Sequence, residues 1–310
     1  MASERTILAL NAPAGTREKP AVGVYAIVSD YWALTKPEVN LLILITTSAG
    51  YLAGPTRPAG MRILLLLRTL LGTLLVAGGT GTLNQFLERS FDSQMRRTAR
   101  RPLASGRIEA RHVLWFGILL SLAGVAYLAL AVNLLTSFLA VITLLSYLFL
   151  YTPLKRKTPL CILVGAFPGA VPPLIGWAAA RGRLDREAWL LYAVVFLWQF
   201  PHFMAIAWMY REDYSRAGYL VLPAGRMRDR FVVWQSFGVS LLLIPLSLIP
   251  AVTREAGVFC SVGALILSAL FCYYSYLLAF HRSNLAARQL LAASIVYLPA
   301  LFVLMMFGAR

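Results

Sequence analysis

Residues 65–88 read LLLRTLLGTLLVAGGTGTLNQFLE, a run whose only charges are Arg68 near its start and Glu88 at its end. A helix rises about 1.5 Å per residue, so this run is long enough to cross the hydrocarbon core of a bilayer. Similar runs lie on both sides of it. The pattern predicts spans at about 38–54, 65–88, 112–130, 133–151, 160–179, 188–209, 231–251, 257–279 and 288–307. The whole chain is 59% hydrophobic and 14% charged, too little charge to cover a soluble protein of 310 residues. Backbone groups in lipid must be satisfied within the segment, which selects helices, and the alternating period of a membrane barrel is absent. The expected fold is all-α, a polytopic membrane bundle of about nine transmembrane helices.

The formal net charge of +16 would suit a nucleic-acid binder. Here, however, the basic residues sit in short loops between spans, so no nucleic-acid partner is expected; the partner surface is the lipid bilayer. Cys161, Cys260 and Cys272 fall inside apolar runs without metal-ligand spacing and read as small core residues. Residues 1–24 are polar, carry Pro13, Gly15 and Pro20, and read as a disordered cytoplasmic segment. Glu4, Glu18 and the lack of an apolar stretch argue against a secretory signal. A mitochondrial presequence is usually longer and free of acids, so a bacterial cytoplasmic (inner) membrane is expected. Residues 25–37, with Tyr25, Tyr31, Trp32 and Leu34, form an amphipathic stretch that suits the membrane interface. Residues 25–310 read as one bundle.

Sorting Lys and Arg by loop orients the bundle. The segment up to Lys36 and the loops near 89–111, 155–157, 211–230 and 282–288 hold about 21 of the 29. The other side holds Arg57, Arg62, Arg68, Arg181, Arg183, Arg186, Arg254 and Arg310. The positive-inside rule then places the N-terminus in the cytoplasm and the C-terminus outside.

Asn84, Glu88 and Asp92 are not explained by topology. Each step of four residues turns a helix by only about 40°, so the three share one face and span roughly 12 Å of axis. That is too long for one metal ion to touch all three. It suits a rim holding one or two Mg²⁺ ions on a diphosphate, because Mg²⁺ is often shared between carboxylates and phosphates. Glu88 could instead pair with Arg89, and Asp92 with Arg96 one turn on. A solvated loop would explain the arginines of residues 84–103, NQFLERSFDSQMRRTARRPL, but not an acid row running back into an apolar helix. Two further loops on the same side, residues 151–158 (YTPLKRKT) and 208–218 (WMYREDYSRAG), add cations, acids and aromatics. Acid and base at several helix ends on one face fit an anionic substrate held with a divalent metal.

Residues 84–103 resemble the first acid-rich motif of the UbiA-type intramembrane prenyltransferases, and in detail the protoheme IX farnesyltransferase (heme O synthase) branch. LTKP at 34–37, GAVPPLIGW at 169–177 and WQFPHF at 198–203, leading to Glu212-Asp213-Tyr214, extend the resemblance over about residues 28 to 300. It implies a nine-helix prenyltransferase that joins farnesyl diphosphate to a vinyl group of heme b, with water, giving heme O and diphosphate. It further implies that Asn84, Glu88, Asp92 and Asp213 hold Mg²⁺. Arg97, Lys155 and Arg156 would neutralise the leaving diphosphate, with the active site facing the cytoplasm. His202 could ligate heme iron, hydrogen-bond a propionate, or only bond a neighbouring helix. His281 is a second heme-binding candidate, whereas His112 reads as interfacial. Phe200, Phe203 and Trp198 could stabilise an allylic cation or simply pack. A later heme-modifying enzyme or a terminal oxidase assembly are the downstream partners such a product allows.

The chain departs from the superfamily pattern twice. Glu88 stands at the middle of the first motif, where Asp is usual. The second motif keeps only the adjacent Glu212 and Asp213, with Tyr210 and Tyr214 near the positions of its usual acids. Two competing readings remain: a quinone-type aromatic acceptor for the same prenyl donor, and a transporter with helices broken at Pro168, Pro172 and Pro173. Acids at helix ends, away from the midplane, argue against transport.

Overall fold

A computed structural model describes residues 23–54, 59–223, 225–252 and 257–308. Most of the expected N-terminal segment, and Arg57, Arg254 and Arg310 of the orientation argument, lie outside the described residues. The described residues open with helix α1 (Val24–Leu34), followed by α2 (Pro37–Ala53), α3 (Ala59–Asp92) and α4 (Ala110–Ala131). Helix α5 starts as Leu134–Ser146 and continues through a wide π turn, Tyr147–Tyr151, to Leu154. Then come α6 (Cys161–Gly169), α7 (Pro172–Arg181), α8 (Arg186–Met209) and the short α9 (Arg211–Arg216). Helix α10 begins as Gly225–Val233, passes a second π turn at Trp234–Gly238 and ends as Val239–Val252; α11 (Val258–His281) and α12 (Asn284–Gly308) complete the described residues.

Eight helical segments among the described residues are long and apolar enough to cross a membrane, with α6 and α7 together forming one of them. Helix α2, with 17 residues, sits at the lower limit of that length. The chain is a multi-pass membrane protein. The helices follow one another around a ring in which α12 returns to meet α2, while α7 packs on α2 and α8 on α12.

The expected single span at 160–179 is divided. Pro172 lacks an N–H and its ring opposes continuation of the preceding helix, so α6 ends at Gly169 and α7 starts anew. The freed carbonyl of Pro168 takes the N–H of Val171 at 3.3 Å. Gln199 of α8 donates from Nε2 to the Ala166 carbonyl at 3.2 Å and so ties α8 to the break. All nine residues from Pro172 to Ala180 are buried. This makes the broken span the most enclosed of the bundle.

Backbones meet closely where α2 crosses α7. A Cβ at Gly176 would overlap the carbonyl oxygen of Thr47, and one at Gly50 would overlap that of Pro173. Lipid offers no hydrophobic drive between helices, so close approach of small residues supplies the packing. Gly176→Ala is therefore expected to lower stability by about 1–3 kcal/mol, read as a lower unfolding midpoint in detergent. Gly257→Ala, where an added Cβ meets nothing within 4 Å, is the control and should cost at most the small preference for Gly at a helix N-cap.

Candidate active site

The acid row occupies the last three turns of α3 and faces inward. Asn84 and Asp92 are each 1% exposed, Glu88 6% and the more distant Asp213 8%. Neither local pairing, with Arg89 or Arg96, is made. Each member of the row meets a cation or a polar group delivered by another segment.

Lys36 lies between α1 and α2 and donates from Nζ to Asn84 Oδ1 at 2.6 Å. That ammonium decides the orientation of the Asn84 amide, whose Nδ2 then donates to Thr152 Oγ1 at 3.2 Å. Lys36 itself has φ 56° and ψ 62°, the left-handed region, immediately before Pro37. A non-glycine residue held there costs roughly 1–3 kcal/mol, which the surrounding contacts must offset. Those contacts include Gln85 Nε2 on the Leu34 carbonyl at 2.9 Å and a small apolar cluster of Leu34, Leu103 and Val113. Burial, with Arg101 and Lys155 nearby, pulls the Lys36 ammonium down to about 7.

Lys155, just past the end of α5, pairs with Glu88: Nζ to Oε1 is 2.8 Å. Its ammonium also lies 4.6 Å from the centre of the Tyr151 ring. Burial opposes its charged form, yet the Glu88 carboxylate beside it holds the ammonium well above the ordinary lysine value. The Tyr219 hydroxyl lies against Glu88 without meeting hydrogen-bond geometry. Burial and then the charge of Glu88 push that hydroxyl up, so it stays protonated.

Arg101 reaches back nine residues to Asp92, with NH1 to Oδ2 at 2.7 Å. The other oxygen, Asp92 Oδ1, is buried with no hydrogen-bond partner. The loop carrying Arg101 is fastened to α1 by Arg107, which grips Asp30 with Nε and NH2 at 2.9 Å each. Asp213 of α9 joins from the far side: Oδ2 accepts the backbone N–H of Arg97 at 3.1 Å, and Oδ1 lies 3.2 Å from Arg216 NH1. Successive helical residues diverge by about 100°. Asp213 therefore faces in while Glu212 is exposed.

Two of the expected diphosphate cations are placed differently from Lys155. Arg97 lies 4.7 Å over the Tyr210 ring and donates to Tyr214 Oη at 3.3 Å. The tyrosines near the usual acid positions of the second motif thus hold a cation from the first. Arg156 is exposed and lies 4.4 Å over Phe91. His202 is half-buried in α8 and meets Ser294, away from the acid row. His281 ends α11 exposed, and no hydrogen bond or ion pair among the described residues joins it to the row. Lys36, Arg101 and Tyr219 are the site residues that sequence reasoning did not assign. Lys36 and Arg101 stand inside stretches already singled out, but nothing in their spacing marks them as partners of Asn84 and Asp92.

No group of three His, Cys, Asp or Glu side chains among the described residues converges to make a complete metal cage. Mg²⁺ commonly takes one or two carboxylates and completes its shell with water and substrate phosphate. The unpartnered Asp92 Oδ1, with Glu88 and Asp213 nearby in the fold as single carboxylates, fits an ion that arrives with a diphosphate.

Residues 43–306 match the model of the UbiA prenyltransferase family. The protoheme IX farnesyltransferase of Solibacter usitatus is 48% identical, over 89% of this chain and 97% of that protein. That of Koribacter versatilis is 41% identical, over 93% and 95%. Among solved structures, a digeranylgeranylglyceryl phosphate synthase aligns with a TM-score of 0.72 at 20% identity, covering 91% of this chain and 98% of its own. A UbiA homolog from Archaeoglobus fulgidus bound to GPP and Mg²⁺ aligns at 0.63 and 18%, covering 89% and 99%. These structures share the fold.

Proposed function

The chain belongs to the UbiA prenyltransferase family, and from that premise we infer that it transfers a farnesyl group from farnesyl diphosphate to a vinyl group of heme b. Water adds in the same reaction, giving heme O and diphosphate. The observation that carries the site assignment is the convergence of four separate segments on one helix end. Lys36, the row on α3, Lys155 and Asp213 alternate in charge there.

The charged mouth takes the diphosphate head, and the farnesyl tail enters the apolar bundle. Lys155 and Arg101 each sit on a carboxylate before substrate binds, so both are in place to turn to phosphate oxygens. Asn84, Glu88, Asp92 and Asp213 would hold Mg²⁺, which when bound supplies positive charge to the leaving diphosphate. Lys155, Arg156 and Arg97 neutralise charge as the allylic C1–O bond breaks with its electron pair leaving on the diphosphate. The vinyl group then attacks C1, and water captures the resulting cation with loss of a proton, leaving a hydroxyethylfarnesyl side chain. Residues 25–310 form the catalytic bundle. Its charged end faces the cytoplasm of a cell with this inner membrane, as the positive-inside rule supports. The product suits a later heme-modifying enzyme or a terminal oxidase assembly.

Purified protein in lipid, given heme b, farnesyl diphosphate and Mg²⁺, should yield a porphyrin heavier by one farnesyl group and one hydroxyl group. Chelation by EDTA should stop turnover and added Mg²⁺ restore it. With an aromatic quinone precursor also supplied, unmodified heme beside the prenylated precursor would overturn the acceptor assignment.

A further inference from the structure

We propose that His202 binds the heme iron through Nε2, and that Ser294 is the positioning residue that holds its imidazole in the tautomer this requires. The proposal rests on heme being the acceptor. His202 lies seven residues before the end of α8, about 10 Å of helix axis inside the span. An ionisable side chain there has a function by default, because lipid offers it no water.

The protons around Ser294 decide the tautomer. Ser294 is fully buried on α12. Its Oγ donates to the Leu291 carbonyl at 2.6 Å, and a carbonyl can only accept. His202 Nδ1 lies 2.7 Å from the same Oγ. A hydroxyl turned toward His202 would leave two oxygens 2.6 Å apart with no proton between them. The single hydroxyl proton therefore goes to Leu291, and Nδ1–H of His202 donates to Oγ. Nε2 is left as a bare lone pair, the state in which a neutral imidazole binds a metal. A hydrogen-bond acceptor on the other nitrogen is the usual companion of such a ligand.

The ring is also held in place. It stacks on Trp198 with centroids 4.6 Å apart and planes 25° apart, and the edge of Phe203 meets it at 5.6 Å. Nε2 has no hydrogen-bond partner among the described residues, yet it is not one of the sealed, unpartnered atoms. It keeps some exposure. A tie between α8 and α12 alone does not need the histidine, because Trp198 Nε1 already donates to the Ser294 carbonyl at 2.9 Å. The histidine adds an open nitrogen, on a ring whose orientation Trp198 and Ser294 fix.

The test adds ferric heme b to the purified full-length protein without farnesyl diphosphate and records absorption and electron paramagnetic resonance spectra. The wild-type protein should show a nitrogen-ligated iron. His202→Ala should lose that signature and regain it with free imidazole. Ser294→Ala should keep a ligand but weaken heme affinity about 10–100-fold, and Ser294→Thr, which retains a hydroxyl, should restore it. Spectra and affinity unchanged in His202→Ala would overturn the proposal. So would a wild-type enzyme that makes heme O without any nitrogen-ligand signature; in both cases heme remains the acceptor. A protein that neither binds heme nor yields heme O would instead remove the acceptor reading, and the proposal with it.

Discussion

Asp92→Ala is expected to abolish heme O formation while leaving the protein inserted in the membrane. Asp92 is the one member of the row with a buried oxygen that nothing satisfies. In the assigned role that oxygen meets the Mg²⁺–diphosphate head, so its removal acts on charge that develops as the C1–O bond breaks. Loss of one such group lowers turnover at least about 10²–10³-fold. The fold should survive, because the partner left behind, Arg101, keeps about a quarter of its side chain in solvent and can be hydrated. Asn84→Ala should behave alike. Turnover is measured as heme O formed per inserted protein at limiting Mg²⁺. Near-normal rates in either variant would remove the metal–diphosphate assignment.

Lys155→Met is expected to fail in two separable ways. The Lys155–Glu88 pair is largely out of solvent, with side chains 13% and 8% exposed. Removing the cation strands a buried carboxylate, which typically costs about 3–5 kcal/mol, whereas replacing both partners is often close to neutral. Lys155→Met alone should therefore unfold at a clearly lower temperature in detergent and show no turnover. Lys155→Met with Glu88→Gln should recover most of the midpoint and none of the turnover. The double-variant comparison isolates the pair from its surroundings. Recovery of activity together with stability would make Lys155 a structural cation only.

Particular residues show how far the sequence could be read. The four-residue spacing of Asn84, Glu88 and Asp92 foretold a shared face, and the fold buries all three. Which of Glu212 and Asp213 turns inward depends on the start of α9, a phase that spacing within a short loop does not fix. The span read as 160–179 divides at Pro172 because that residue, although visible, can either kink a helix or begin one. Arg97, Lys155 and Arg156 looked alike as loop cations. Lys155 lies on the row, Arg97 on Tyr210 and Tyr214, and Arg156 over Phe91.

By itself the sequence determined that this protein is a multi-pass helical bundle with an acid row at one end, because membrane crossing and helical phase are properties of local runs of side chains. Its motifs also carried the family. Only the tertiary structure decided the partners: Lys36 for Asn84, Arg101 for Asp92, Ser294 for His202. Those contacts join residues 48, 9 and 92 positions apart. They depend on how helices cross and loops return, which no local period encodes.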